Sequence, residues 1–344
     1  MHARFLASVL SVGLAIGQAP SSGQEFSLGP ARTLPDAQPH VPIYRFCPDG
    51  HFSLLKEGEQ FQMYWPGSTS YRTLGSSIDA MKDPLAVLKP GPPGEFDQGG
   101  AWLFAVFRKN GDELLGFYHA EDHAFTGDPS SKFVAWKSIA RCTSRDNGKT
   151  WQKTGPIITS ARPKPAAPTW GGCGDFCVVR DDQRDRWVCF YQEHFLSVAE
   201  SSDAGGLPET WLKYHRGEFR QPGLGGESTP IPGLTKCPGG NPSVSFNQFL
   251  NKWLMVWHTW DMNSPHPNSI WISTSGDLRD WTAPRLVVAA TEAERNWYPT
   301  LLGETDQSGG EVMQLCYAHF ADKSASNRQF VVRDVTFRKD GAAE

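Results

Sequence analysis

A chain of 344 residues with 33 basic and 37 acidic side chains, net charge −4, offers no excess of positive charge for a nucleic-acid surface. Its 13 Trp, 34 Gly and 26 Pro, without any sustained run of apolar residues at helical spacing, exclude a helical bundle and favour one large domain of many short strands joined by turns. No apolar segment is long enough to cross a bilayer, so no membrane span is expected.

The chain opens with Arg4, an apolar segment from Phe5 to Ile16, and the small residues Ala15 and Gly17 placed for cleavage before Gln18. Residues 1–17 therefore read as a secretory signal peptide, and the mature protein is expected to be secreted or periplasmic. Residues 18–40, rich in Ser, Gly, Pro and Gln, read as a flexible or surface-draped lead-in, which leaves 41–340 for the fold. Seven Cys is an odd number for an exported chain. Cys177 and Cys189 flank the turn 181–185 symmetrically, which would set them opposite each other on a hairpin as a disulfide or as two buried thiols, with Cys173 a third partner. No connectivity follows.

From Val41 onward one unit recurs: a short strand opened by a polar or Gly-rich turn, an aromatic second strand, and a third strand that runs into a Ser-x-Asp turn and a Trp. Five second strands align, at Phe61–Trp65, Leu115–His119, Val188–Gln192, Leu254–His258 and Met313–Tyr317. A repeat of this length, about four strands each, is what a propeller blade requires. The blades fall near 41–95, 96–165, 166–235, 236–292 and 293–340, and the strand Gln329–Arg338 is expected to close the ring against the N-terminal blade.

The third-strand turn is complete once, in Ser144-Arg145-Asp146-Asn147-Gly148-Lys149-Thr150-Trp151, and degenerate at Ser201–Gly205 and Ser275–Trp281. Asn-Gly supplies the positive backbone angles of a tight hairpin, Asp146 accepts the turn's own amides, and Trp151 starts the returning strand. These eight residues resemble the Asp-box, or BNR repeat, of sialidases and other propeller glycosidases. That resemblance implies an outer hairpin remote from any active site. Pro42–Phe46 is similar to a sialidase Phe/Tyr-Arg-Ile-Pro element, so a six-bladed sialidase-type propeller stands as the alternative to five blades.

In a propeller, the starts of innermost strands and the ends of second strands reach one face around a central funnel. Here that rule selects Asp49 and His51, Asp175, Asn241 and Tyr298 on inner strands, with His119, Glu121, Glu193, His258, Asp261 and His319 at second-strand ends. Carboxylates, imidazoles, amides and aromatic rings converging on one face have the composition of a sugar site. Two carboxyls flanking a glycosidic bond act as acid and as base or nucleophile. The acid needs a raised pKa, which burial beside another carboxylate would supply. His119 and His123 lie four apart with acids between, but that spacing presents both to a metal only on a helix, so no metal site is expected.

Asn241–Ser245, the Ser-x-Ser-x-Asp-Leu-x-x-Trp run at 273–281 and Trp297–Thr300 are similar to five-bladed propeller glycosidases of the arabinanase and fructosidase type. The resemblance implies an exported glycoside hydrolase acting on an oligo- or polysaccharide. Asp49 would be base or nucleophile, with Asp175, Glu121 and Glu193 competing for the roles of acid and pKa modulator. It implies a carbohydrate substrate, a monomer and no cofactor, with room for a structural calcium ion in the funnel. A sialidase, a propeller polysaccharide lyase using His and Tyr beside a uronate, and a carbohydrate-binding propeller without turnover are the competing functions.

Overall fold

The computed structural model of the chain describes residues 26–34, 47–125, 134–235, 237–260, 264, 266–322 and 328–339. Frequent turn residues cut the chain into short strands, β1 (Phe26–Leu28) and β2 (Arg32–Thr33) being the first. Blade I is β3 (Ser53–Glu57), β4 (Gln60–Pro66), β5 (Ser70–Gly75) and β6 (Lys82–Leu88), from the axis outwards. Blade II is β7 (Gly100–Asn110), β8 (Glu113–Asp122), β9 (Trp136–Ser144) and β10 (Gln152–Ile158), with the two-residue β11 (Gly171–Gly172) beside β9. Blade III holds β12 (Gly174–Asp181), β13 (Arg186–Gln192), β14 (Leu196–Ser201), β15 (Leu212–His215) and β16 (Glu218–Pro222). Blade IV holds β17 (Gly240–Asn247), β18 (Lys252–His258), β19 (Ile270–Ser275) and β20 (Arg285–Val288). Blade V starts at β21 (Arg295–Leu302), sends β22 (Ser308–Gly309) across to pair with β17, and continues through β23 (Val312–Phe320) and β24 (Arg328–Phe337). The protein is a five-bladed β-propeller, and no sixth sheet is present among the described residues.

Ring closure differs from the sequence expectation. β1 and β2, which fall within the stretch read as a lead-in, pair antiparallel with β24, so described structure begins at Phe26, ahead of Val41. β24 is the third strand of blade V: its outer edge pairs with those N-terminal strands and with no strand of blade I, while its Phe330 and Val332 pack against the blade I core. An open edge there would expose a row of unpaired amides, and the earlier segment removes it. Residues 1–25 and 35–46, which include the segment read as a signal peptide and Pro42–Phe46, lie outside the described residues.

Five hydrophobic clusters fill the five gaps between neighbouring blades. Met63 and Trp65 of β4 face blade V, where they meet Leu302, Cys316 and Phe330, while Tyr64 between them faces Leu103 and Tyr118 of blade II. The same alternation sends Leu254 and Val256 to blade V and Met255 and Trp257 to blade III. Second strands are buried on both faces, which is why they read as unbroken apolar runs. Each fully buried Leu-, Met- or Phe-sized side chain in these gaps contributes about 1.5–3 kcal/mol. Period-two alternation also settles the cysteines. Cys177 pairs with Phe190 and Cys189 with Val178, one step out of register, so the two thiols leave opposite faces of blade III. All seven cysteines are buried and free, and burial pushes those of blades II and III above the ordinary thiol range.

The three Ser-x-Asp turns latch each blade to the one before it. Asp146 Oδ1 accepts the Lys149 and Thr150 amides at 3.1 and 2.9 Å, with Asn147 and Gly148 at φ of 56° and 76°. Asp203 and Asp277 accept the corresponding amides of their own turns. The Trp after each turn, Trp151, Trp211 or Trp281, meets the second-strand ring of the preceding blade edge-on: Tyr64 at 5.8 Å, Phe117 at 5.8 Å and Phe190 at 5.6 Å. A buried arginine of that preceding blade donates to a turn carbonyl: Arg72 to Asn147, Arg141 to Gly205 and Arg186 to Asp277, at 2.7, 2.7 and 2.8 Å. An edge-on pair contributes about 0.5–1.5 kcal/mol beyond burial, and a hydrogen bond from a charged donor about 1.5–3 kcal/mol.

Candidate active site in the propeller funnel

At the mouth where inner strands begin and second strands end, a cavity of about 640 Å³ is lined from all five blades. The inner strands of blades III, IV and V enter it through a bulge. Asp175, Asn241 and Tyr298 adopt φ of 48°, 51° and 56°, and the ladder slips register at each of these points. The left-handed kink takes one residue out of the strand alternation and places it at the funnel wall. It costs about 1–3 kcal/mol at each non-glycine position, a strain that the surrounding ladders hold in place.

Each carboxylate of the cavity has a cationic or imidazole partner from a neighbouring position. Arg328 donates from Nη1 to Asp49 Oδ1 at 2.7 Å, and its guanidinium lies 5.5 Å from the Tyr298 ring centre and 5.0 Å from that of Phe320. Lys137 donates to Asp175 Oδ2 at 2.6 Å and to Gln192 Oε1 at 3.3 Å. Glu121 is held on both oxygens, by His119 Nε2 at 3.1 Å and His123 Nε2 at 2.7 Å. Burial pushes the Glu121 carboxyl up, but the hydrogen bonds and charge of the two imidazoles outweigh it and bring it to about 2. Burial acts in the same upward sense on Asp175, and the Lys137 ammonium with His119 again reverses it, leaving the carboxyl below its ordinary range. Neither carboxyl is the neutral acid that the sequence led us to expect. The reason is tertiary: the neighbours that burial brings close are cations and imidazoles as well as acids.

Two of the imidazoles have their tautomers fixed by backbone. The Asp175 amide donates to His119 Nδ1 at 2.9 Å, so neutral His119 carries its proton on Nε2, facing Glu121. The Tyr298 amide likewise donates to His258 Nδ1 at 3.3 Å. His258 stacks on Trp297 at 5.6 Å and meets Trp260 edge-on at 5.1 Å, and burial lowers its pKa to about 3, so it is a neutral ring at physiological pH. Asn241 is 2% exposed, and its Oδ1 has no hydrogen-bond partner among the described residues. Trp170, 57% exposed, stands at the rim.

The cavity thus brings together Asp49, Glu121, Asp175, His119, Asn241, His258 and Tyr298 from the sequence-selected set. His51, Glu193 and His319 are not among its walls. His51 is buried and bonded to Thr300 Oγ1 at 3.2 Å, with Asp306 3.7 Å away. Glu193 accepts the Ser160 and Ser228 hydroxyls at 2.6 and 3.1 Å and ties the blade II–III crossing to blade III. His319 turns to its strand partner Asn296 at 2.9 Å. Asp261 lies outside the described residues. Sequence reasoning missed Lys137, Arg328 and the ring of Trp170, whereas Gln192, Trp102, Trp260 and Trp297 lie at the strand ends expected to face the funnel, although none of them was selected as a site residue. Lys137 and Arg328 share a signal that was there to be read: both open the third strand of a blade, and each reaches the inner-strand carboxylate of the next blade.

A larger cavity of about 790 Å³ opens at the other ends of the same strands, lined by Phe107, Arg108, Arg141, Arg180, Asp181 and Trp187 among others. Arg141 there is engaged by the latch to Gly205, and Asp181 by Arg184 and Arg186. We place the candidate site in the smaller cavity because, among the described residues, the carboxylates, the imidazoles and the unpartnered Asn241 Oδ1 converge there. Among the described residues no group of three or more His, Cys, Asp or Glu is disposed to hold a metal ion, and no helix is long and apolar enough to cross a membrane.

No protein-family model and no curated protein matches the sequence. Solved structures do match. An exo-1,5-α-L-arabinanase from a bovine ruminal metagenomic library aligns over 87% of this chain and 98% of its own, at 11% identity and a TM-score of 0.52. An α-L-arabinanase of Cellvibrio cellulosa aligns over 85% and 93%, at 12% identity and a TM-score of 0.51. A protein described as a glycoside hydrolase aligns over 88% and 92%, at 12% identity and a TM-score of 0.55. At these identities the likeness is one of fold, and the fold is one that glycoside hydrolases use.

Proposed function

We propose that this protein is an exported glycoside hydrolase that binds a neutral sugar in the funnel and cleaves its glycosidic bond. The observation that carries the reading is the convergence of three carboxylates and a wall of aromatic rings, contributed by five blades, on one cavity of about 640 Å³. Asp49 acts as base or nucleophile. Glu121 works opposite it, and Asp175 adds a fixed negative charge that favours the oxocarbenium-like transition state. The faces of Trp102, Trp170 and Trp260 stack on sugar C–H surfaces, and the buried Asn241 Oδ1 takes a sugar hydroxyl, which relieves an otherwise costly unpaired acceptor. The chemistry asks for no cofactor.

Neutrality of the substrate follows from the ion pairs. Lys137 and Arg328 already face Asp175 and Asp49, so neither is left over to receive the carboxylate of a sialic acid or a uronate. This disfavours the sialidase and lyase readings. The test is purified protein on a panel that begins with arabinans, galactans and fructans. New reducing ends without unsaturated products are expected. Unsaturated uronates would replace hydrolysis by elimination, and tight binding without products would make the protein a lectin.

A further inference from the structure

Many of the hydrogen-bond donors that line the funnel are already engaged. Lys137 is held by Asp175 and Gln192, and the Nε2 proton of His119 by Glu121. The indole N–H groups of Trp102 and Trp297 donate to the Gly67 carbonyl and to Asn268 Oδ1, at 2.8 and 3.0 Å. Two donors on blades IV and V stand differently: among the described residues no group accepts from His258 Nε2 or from the Tyr298 hydroxyl, although both residues line the cavity. One backbone bond positions the pair. Tyr298 sits in the left-handed region, φ 56°, where β21 slips register, and from there its amide donates to His258 Nδ1 at 3.3 Å, which puts the proton of the neutral ring on Nε2. The two rings meet edge-on at 5.8 Å. His258 is held on its other sides by Trp297, stacked at 5.6 Å, and by Trp260 at 5.1 Å, in a seat that a Cβ on Gly240 would close by lying 2.3 Å from the indole. Burial keeps His258 neutral, with a pKa of about 3. Burial and the charges of Asp49, Asp175 and Glu121 keep the Tyr298 phenol protonated, against the opposing pull of Arg328. A cation here would be drawn into an ion pair, as Lys137 and Arg328 are, whereas a neutral donor keeps its proton for a ligand oxygen.

We infer that His258 and Tyr298 are a specificity-determining pair, with His258 Nε2–H and the Tyr298 hydroxyl donating to two oxygens of one sugar ring. The inference rests on the reading above that a neutral sugar occupies the funnel. His258 ends β18 of blade IV and Tyr298 lies on β21 of blade V, whereas Asp49, Glu121 and Asp175 come from blades I, II and III. The sugar is therefore turned with those two oxygens toward blades IV and V and its scissile bond toward the carboxylates. A ring that lacks either oxygen leaves a desolvated donor unpaired, and a site built this way discriminates far more sharply than an apolar pocket does. The class selected is a neutral sugar that carries both oxygens, and the analogue deoxygenated at either position is rejected.

The experiment titrates wild type, Tyr298→Phe and His258→Asn with L-arabinose, D-galactose and D-fructose, and with the monodeoxy analogues of the one that binds, by calorimetry; for a glycoside that is cleaved, kcat/KM is compared in the same way. Tyr298→Phe keeps the ring and the amide bonded to His258, and removes a hydroxyl that no described residue holds, so its melting temperature should match wild type. His258→Asn keeps an acceptor for the Tyr298 amide but withdraws the Nε2 donor. Each variant should weaken binding of the parent sugar by about 3- to 30-fold. That loss should disappear on one monodeoxy analogue, a different one for each variant, because the partner oxygen is then already missing. Unchanged affinities, or losses that persist on every analogue, overturn the inference and leave the hydrolase reading intact where wild type still cleaves. A wild type that neither binds nor cleaves any of these sugars overturns both. Independently of any sugar, imidazole NMR should show His258 as a neutral Nε2–H tautomer at pH 5, and an Nδ1–H tautomer or an imidazolium there would refute the assignment.

Discussion

Replacing Asp49 with Asn tests the base and exposes a structural cost that the sequence does not announce. The amide keeps the size of the side chain but removes the negative charge and the basicity, so kcat/KM should fall about 10²- to 10⁴-fold, or roughly 3–5 kcal/mol of transition-state stabilisation. Stability should fall as well, contrary to what an isolated turn residue would suggest. The Arg328 side chain is 8% exposed and its Asp49 partner 29%, so the substitution takes a carboxylate away from a largely buried guanidinium. Breaking a fully buried pair costs about 3–5 kcal/mol, whereas exposed pairs contribute under about 1 kcal/mol. The intermediate exposure of Asp49 places this loss at about 1–3 kcal/mol, a drop in Tm of roughly 2–5 °C for a domain of this size. Calorimetry on the Asp49→Asn and Arg328→Met variants and on their double variant separates the two effects. Removing the guanidinium as well should return most of the stability and none of the activity. A single variant within tenfold of wild type would move the base elsewhere, and a double variant no more stable than the single would show that Arg328 is not the source of the cost.

Arg141→Met keeps the aliphatic stem but deletes the bonds to the Gly205 carbonyl and Thr154, so stability should fall by about 1–3 kcal/mol while kinetics at the funnel stay unchanged; a loss of activity at constant melting would refute the latch. Trp170→Ala removes the exposed ring at the rim and should raise KM with little change in kcat, read by steady-state kinetics on an oligosaccharide. Glu121 has a folded pKa of about 2 against an ordinary 4.5, so its contribution to stability is present above about pH 4.5 and is lost as pH falls toward 2. Glu121→Gln should flatten that part of the acid-denaturation curve, and an unaltered curve would count against the clamp. With every cysteine free, the melting temperature should be the same with and without a thiol reductant.

Local chemistry was enough to read the propeller from the sequence. Asn-Gly and Ser-x-Asp turns and the recurrence of aromatic second strands buried on both faces are all short-range signals, and together they point to five blades. The bulge residues Asp175, Asn241 and Tyr298 were selected by the same logic. The N-terminal strands were not, because β1 and β2, three and two residues long, are too short to carry a pattern, and their partner β24 lies about 300 residues away in sequence. The site's electrostatics were decided only in three dimensions. Lys137 and Arg328 serve carboxylates on the blade after their own, whereas His51, Glu193 and His319 satisfy polar groups beside the funnel and so leave it. A side chain's chemistry depends on what faces it across a blade gap. Register, bulges and ring closure set that facing, and they bring together residues whose separation along the chain leaves no local trace.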